Sequence, residues 1–235
     1  MALIQQVGFS AGAGTSKAVT ITSSTLGNTI VVFSAGIASP SAVPTDNLLT
    51  SWPAAAITVN TTLGLSAWVL PNCASGITTI TVNQNAAQGW IVEESGVLAS
   101  SLDQVAGQQF TGTAVSSGAT AALSQANEVC YGFCSNSNNI AYTAGSGWSA
   151  AAFTNQQGGI TTIGNQQNTL VGPDITFIER QVVSATTALA ATMTQVGGGY
   201  NEAAIITLKQ SASVTGPFTP FRQNIFFVTD IVVQQ

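Results

Sequence analysis

The sequence predicts an all-β protein, an antiparallel sandwich or barrel with few or no helices. Three observations lead there. Short apolar segments alternate with polar residues at a period of two, the spacing of a strand with one face in a core. Turn formers recur between them: Ala11-Gly12-Ala13-Gly14, Leu26-Gly27-Asn28, Pro44-Thr45-Asp46-Asn47 and Gly197-Gly198-Gly199. Sustained helical periodicity is nearly absent. A chain of 235 residues buries roughly 70–75% of its unfolded surface in one core, so one large domain suffices.

The elements follow in chain order. Ile4–Phe9 is a first strand candidate, and Ala18-Val19-Thr20-Ile21-Thr22 alternates cleanly. Thr29-Ile30-Val31-Val32-Phe33 is apolar on both faces, which suits a central strand covered on both sides or a subunit contact. Ala55–Val59, Leu65–Leu70, Thr78–Val82 and Gly89–Glu94 come next. Val97–Val105 has room for one or two helical turns, with Ser100 or Ser101 as cap. Gln109–Thr113, Glu128–Phe133, Asp174–Val183 and Ala203–Lys209 complete the strands. Ala185–Met193 is rich in Ala and Thr. Its β-branched threonines and alternating flanks favour a strand pair over a helix. Residues 135–170, rich in Asn, Gln, Gly and Ser, read as long loops or a loosely patterned strand pair.

Composition narrows the function. Only 6% of residues are charged and the net charge is −5, against about 25% charged in an ordinary domain. Ser, Thr, Asn and Gln take the place of charge, with 86 residues. Four basic residues cannot build the patch that nucleic acid requires. With no histidine, a Ser–His–Asp triad, His-ligated zinc and an HExxH metalloprotease are excluded. Cys73, Cys130 and Cys134 are odd in number and irregular in spacing, so they read as buried reduced thiols. Cys130 and Cys134, four residues apart in a strand, share a face but lie about 13 Å apart, too far to bridge. The N-terminus lacks a basic region followed by an apolar one, so no signal peptide is expected. Apolar runs fall short of a membrane span.

Few residues offer chemistry. Glu93 and Glu94 are adjacent in a strand and point to opposite faces, so they cannot act as a glycosidase pair. Glu94 and Asp103 could meet across the Ser95-Gly96-Val97 turn, but Glu94 as a turn cap is the simpler expectation. Asp46 reads as an Asx-turn rather than a calcium ligand. Trp68 and Trp90 lie inside strand patterns and are expected in the core. Trp148, in Gly145-Ser146-Gly147-Trp148, is the best candidate for an exposed, glycan-stacking aromatic. Gly197-Gly198-Gly199 lacks the following lysine and helix of a phosphate loop and is expected to be a turn. No catalytic residue, cofactor or metal site is read from the sequence.

The order of the short motifs resembles lectin-like, concanavalin-like jelly-roll domains of phage structural and bacterial surface proteins. The residues that carry the resemblance are Leu26-Gly27-Asn28-Thr29-Ile30-Val31-Val32, Thr45-Asp46-Asn47 with Trp52, and Ser66-Ala67-Trp68. Ser75-Gly76-Ile77-Thr78-Thr79-Ile80-Thr81-Val82, Val92-Glu93-Glu94-Ser95-Gly96-Val97 with Leu102-Asp103, Asn127-Glu128-Val129 and Gly147-Trp148 continue it. The resemblance implies a two-sheet jelly-roll sandwich over residues 1–210 that binds a partner or a glycan.

Residues 211–235 form a separate Phe/Pro-rich extension. Pro217 and Pro220 keep it extended, and Phe218, Phe221, Phe226 and Phe227 give it four large aromatics that need cover. The nearly empty chemistry, the neutral surface and this tail lead to one expectation. The chain is a structural virion protein made in the host cytoplasm, of the phage capsid decoration (cement) type. It forms a homo-oligomer, with a trimer expected, contacts the major capsid protein or another virion protein, and binds neither nucleic acid nor membrane. The alternative is a receptor- or carbohydrate-binding module of a tail fibre or surface protein, with a glycan on Trp148.

Overall fold

The computed structural model describes residues 1–10, 14–59, 63–137, 140–150, 155–157, 165–167 and 175–211. Among these residues sixteen strands run in chain order. They are β1 (Ala2–Ser10), β2 (Lys17–Thr20), β3 (Thr29–Ala35), β4 (Thr45–Asp46), β5 (Ile57–Val59), β6 (Leu65–Leu70), β7 (Thr79–Val82) and β8 (Gln88–Ser95). Then follow β9 (Val97–Ser116), β10 (Glu128–Asn136), β11 (Tyr142–Ala144), β12 (Ser149–Ala150), β13 (Asn155–Gln157), β14 (Asn165–Gln167), β15 (Ile175–Val183) and β16 (Thr192–Gln210). No helix occurs among the described residues.

Two large sheets pack as the antiparallel sandwich that the alternation predicts. The first has the order β13-β1-β8-β3-β6-β5, and the second β11-β16-β10-β15-β12, with β14 on β15 and β9 on β16. All these pairings are antiparallel except the three-residue contact of β1 with β13. A small third sheet, β2-β7-β4, covers the outer face of the first.

The first sheet is therefore buried on both faces, and β3 shows why its sequence is apolar throughout. Val31 and Phe33 point into the core between the two large sheets, with Trp90, Val92, Tyr131, Phe133 and Ile206. Ile30 and Val32 point the other way, against Val19, Trp52, Trp68 and Ile80 under the third sheet. All seven residues of β3 are buried. Phe33 ties the large sheets together, its ring 5.7 Å from that of Tyr131 and 5.3 Å from that of Phe133. A third cluster lies on the outer face of the second sheet, with Cys130, Cys134, Phe177, Met193 and Ile205. Cys130 and Cys134 share that face, and all three cysteines are free and buried.

Four local readings change. Val97–Val105 is not helical. It is the first half of β9, held extended by pairing from Val97↔Gln210 to Ser116↔Thr192. Ala185–Met193 holds no complete strand pair of its own: β16 starts at Thr192. The residues before it run alongside Ser117–Leu123, with bonds from Ser117 N to Ala191 O, Thr120 N to Leu189 O and Leu123 N to Thr186 O. Gly197-Gly198-Gly199 is not a turn between strands but part of a bulge inside β16. The register jumps from Thr194↔Ala114 to Gly199↔Gly112, and Gly197 takes φ +106° there. Trp148 is buried, as described below. In 135–170 the described residues contribute β11–β14 to the sheet edges.

Candidate functional site

The ionisable side chains are the natural place to look for chemistry, and the fold puts nearly all of them to internal use. All five glutamates of the chain, Glu93, Glu94, Glu128, Glu179 and Glu202, are at most 1% exposed. Alternation along β8 sends Glu93 and Glu94 to opposite faces. Glu93 accepts bonds from Gln5 Nε2 (2.5 Å), Thr25 N (2.9 Å) and Asn28 Nδ2 (2.6 Å), which anchor the turn leading into β3. Glu94 faces the second sheet. Its Oε1 accepts from Tyr131 Oη on β10 (2.5 Å) and Arg180 Nε on β15 (2.6 Å). Its Oε2 has no hydrogen-bond partner. Burial works against the Arg180 charge, but Glu94 overcomes it and keeps the guanidinium firmly protonated. Glu202, on β16, accepts from the backbone N–H of Leu63 and Leu65 on the first sheet (3.3 and 3.1 Å). Glu94 and Glu202 are thus polar struts across the sandwich.

Asp103 does not join Glu94. It accepts from Ser124 Oγ and N (2.5 and 2.7 Å) and lies 4.0 Å from Lys209 Nζ. Burial pushes its carboxyl up, but the Ser124 bonds outweigh that and hold it below the usual range. Next to it is Glu128, neither of whose oxygens makes a well-formed hydrogen bond. Burial, with Asp103 adding to it, pushes the Glu128 carboxyl up to about 7. Glu179 accepts from Gly145 N (3.0 Å), and burial pushes it up to about 8. Burial likewise raises Cys73 to about 11 and Cys130 to about 12, so neither is a thiolate nucleophile at neutral pH.

Asp46 forms the Asx-turn that its sequence suggests. Its Oδ1 accepts from Leu48 N (2.8 Å) and Thr50 N (3.2 Å), and its Oδ2 from Trp52 Nε1 (2.8 Å). Burial raises its carboxyl, but these bonds, led by Trp52, bring it below the ordinary value.

The expected exposed aromatic is not exposed. Trp148 is only 8% accessible and packs in the cluster on the outer face of the second sheet. Gly147, at φ +82°, makes the turn that Trp148 N closes onto Gly145 O (3.1 Å), and the indole folds inward. Trp68 and Trp90 are in the core, as expected. Phe218, Phe221, Phe226 and Phe227 lie outside the described residues.

Two surface features remain that sequence reasoning missed. First, among the described residues no charged side chain is exposed: Lys17, Asp103, Arg180 and Lys209 are half-buried, and the rest are buried. The low charge content hinted at this, but which side chains go inward depends on partners distant in the chain. Second, β9 bonds no strand other than β16 among the described strands. Ser211, the last described residue, lies at the start of β9, where its N and Oγ both donate to Gly96 O (3.0 Å each). Comparison with protein-family models, curated proteins and solved structures finds no match for this chain.

Proposed function

We propose that the protein is a structural virion protein of the phage capsid decoration (cement) type, which works as a homotrimer bound to the major capsid protein and stabilises the shell. The observation that supports this is the placement of charge. Carboxylates serve as internal struts, and the fully exposed side chains among the described residues are all neutral polar or apolar. A described surface with no fully exposed charged side chain leaves neutral polar and apolar groups free for close contact without the cost of desolvating charge. Contacts made through such a surface are also insensitive to the ionic conditions a released particle meets. The glycan-binding alternative drew on Trp148 as a stacking platform, and its burial removes that support.

The experiment compares particles assembled with and without the protein. Added back, it should bind the shell saturably and raise the temperature at which the shell releases its contents, with equal binding in low and moderate salt. Failure to bind particles, or binding confined to a glycan, would contradict the reading.

A further inference from the structure

The edge of β9 that faces away from β16 pairs with no described strand, and register shifts between Val97 and Leu102 and between Leu102 and Val105 make it irregular in its first half. It extends over 20 residues. Ala99, Ser100, Gln108, Thr111, Thr113 and Ala114 along it are exposed. Exposed edges are usually blunted with lysine, proline or inward-pointing charge. β9 contains neither proline nor a basic residue, and its one carboxylate, Asp103, is committed to Ser124. Beside its first half lies a cavity of about 180 Å³ between Ser100–Leu102 and Pro53, Ala56, Val69 and Pro71. That is room for one aromatic ring, since an apolar cavity of about 150 Å³ accepts benzene.

The last described residues lie beside the start of β9, on the side that pairs with β16. Gln210 pairs with Val97, and Ser211 is tied to Gly96. Thirteen residues separate Ser211 from Ile225-Phe226-Phe227-Val228-Thr229-Asp230-Ile231-Val232-Val233, a β-branched and aromatic run with strong strand preference. That spacer reaches roughly 45 Å at most, far enough to cross to a neighbouring molecule.

We propose that the free edge of β9 is a strand-addition site, and that its occupant is the Ile225–Val233 segment of a second copy of this chain. Main-chain bonds supply the pairing, and one phenylalanine of the incoming strand fills the cavity beside Ser100–Leu102. A second copy fits better than the chain's own tail for a geometric reason. Ser211 lies at the Val97 end, so a segment of the same chain returning directly from it along the edge would run parallel to β9. All pairings between the long strands here are antiparallel. A neighbour approaches from either end and pairs antiparallel. Each copy then gives one strand and accepts one, a head-to-tail contact that closes into a ring. This rests on the assembly reading above only for the ring's place on a particle. A trimer built this way could exist without a capsid, and a capsid protein could assemble by other contacts, so the two fail separately.

The test uses the full chain. Sedimentation should show an oligomer at micromolar concentration. The double variant Val228→Pro/Val232→Pro, which removes two ladder N–H groups, should sediment as a monomer that keeps a β-sheet circular dichroism spectrum and melts cooperatively, at a temperature no longer dependent on protein concentration. In addition, Ser100→Cys and Thr229→Cys chains, mixed and treated with a short bis-maleimide, should yield a cross-linked dimer containing one of each. A monomeric parent protein, a proline variant that stays oligomeric or loses its fold, or the absence of a cross-linked dimer containing one of each chain would overturn the proposal.

Discussion

Glu128 and Glu179 are buried acids whose carboxyls are pushed up to about 7 and about 8 from an ordinary value of 4.5. In the unfolded chain both ionise near the ordinary value, so between about 4.5 and 8 the folded state holds more protons than the unfolded one. Stability contributed by a raised acid is present at low pH and falls as pH rises through the folded value. Melting temperature should therefore drop between pH 5 and pH 8, by the equivalent of about 1–3 kcal/mol per group. Glu128→Gln/Glu179→Gln should flatten that slope when melting is followed by circular dichroism across the same range. An unchanged slope would place the titrating groups elsewhere. Glu94 poses the complementary case. Arg180→Ala leaves a buried carboxylate with only Tyr131 as donor. The variant should lose about 3 kcal/mol in denaturant unfolding, the lower end of the range for breaking a buried pair because Arg180 is partly exposed. Glu94→Gln in the same background should recover much of it by removing the stranded charge. Equal stability of Arg180→Ala and the parent would show that the strut carries no load.

Strands buried on two faces were the most legible elements. Leu65–Leu70 falls on β6 residue for residue, and β3 lies where Thr29–Phe33 put it, between β8 and β6. Ile30→Ala and Val32→Ala each empty space under the third sheet and should cost about 1–4 kcal/mol. If both are silent in chemical denaturation, β3 is not the central strand. What was not legible has a physical cause in each place. Leu98, Leu102 and Val105 carry a helical spacing, yet β9 is extended because β16 pairs with it at Val97, Leu102 and continuously from Val105 to Gly112, and tertiary pairing outweighs local preference. Trp148 sits among glycines and serines that signal exposure, while the apolar face that covers it comes from Cys130, Ala203 and Ile205, far away in the chain. The Glu94–Tyr131–Arg180 contact depends on three strands in two sheets, so no local pattern could reveal it.

At the scale of the whole molecule, stability rests on three apolar clusters and the backbone ladders, with two ion pairs among the described residues. Exposed pairs contribute only about 0–1 kcal/mol each and are what salt screens. The melting temperature of the isolated protein should therefore stay nearly constant from low to moderate sodium chloride. A large fall would reveal a charge network outside the described residues. The central claim, that this neutral-surfaced sandwich serves as an assembled part of a particle, is tested most directly by its copy number in purified particles, measured by quantitative mass spectrometry. Many copies per shell are expected, in a fixed ratio to the major capsid protein and unchanged by washing in moderate salt. Absence from the particles, or a handful of copies as at a tail tip, would contradict it.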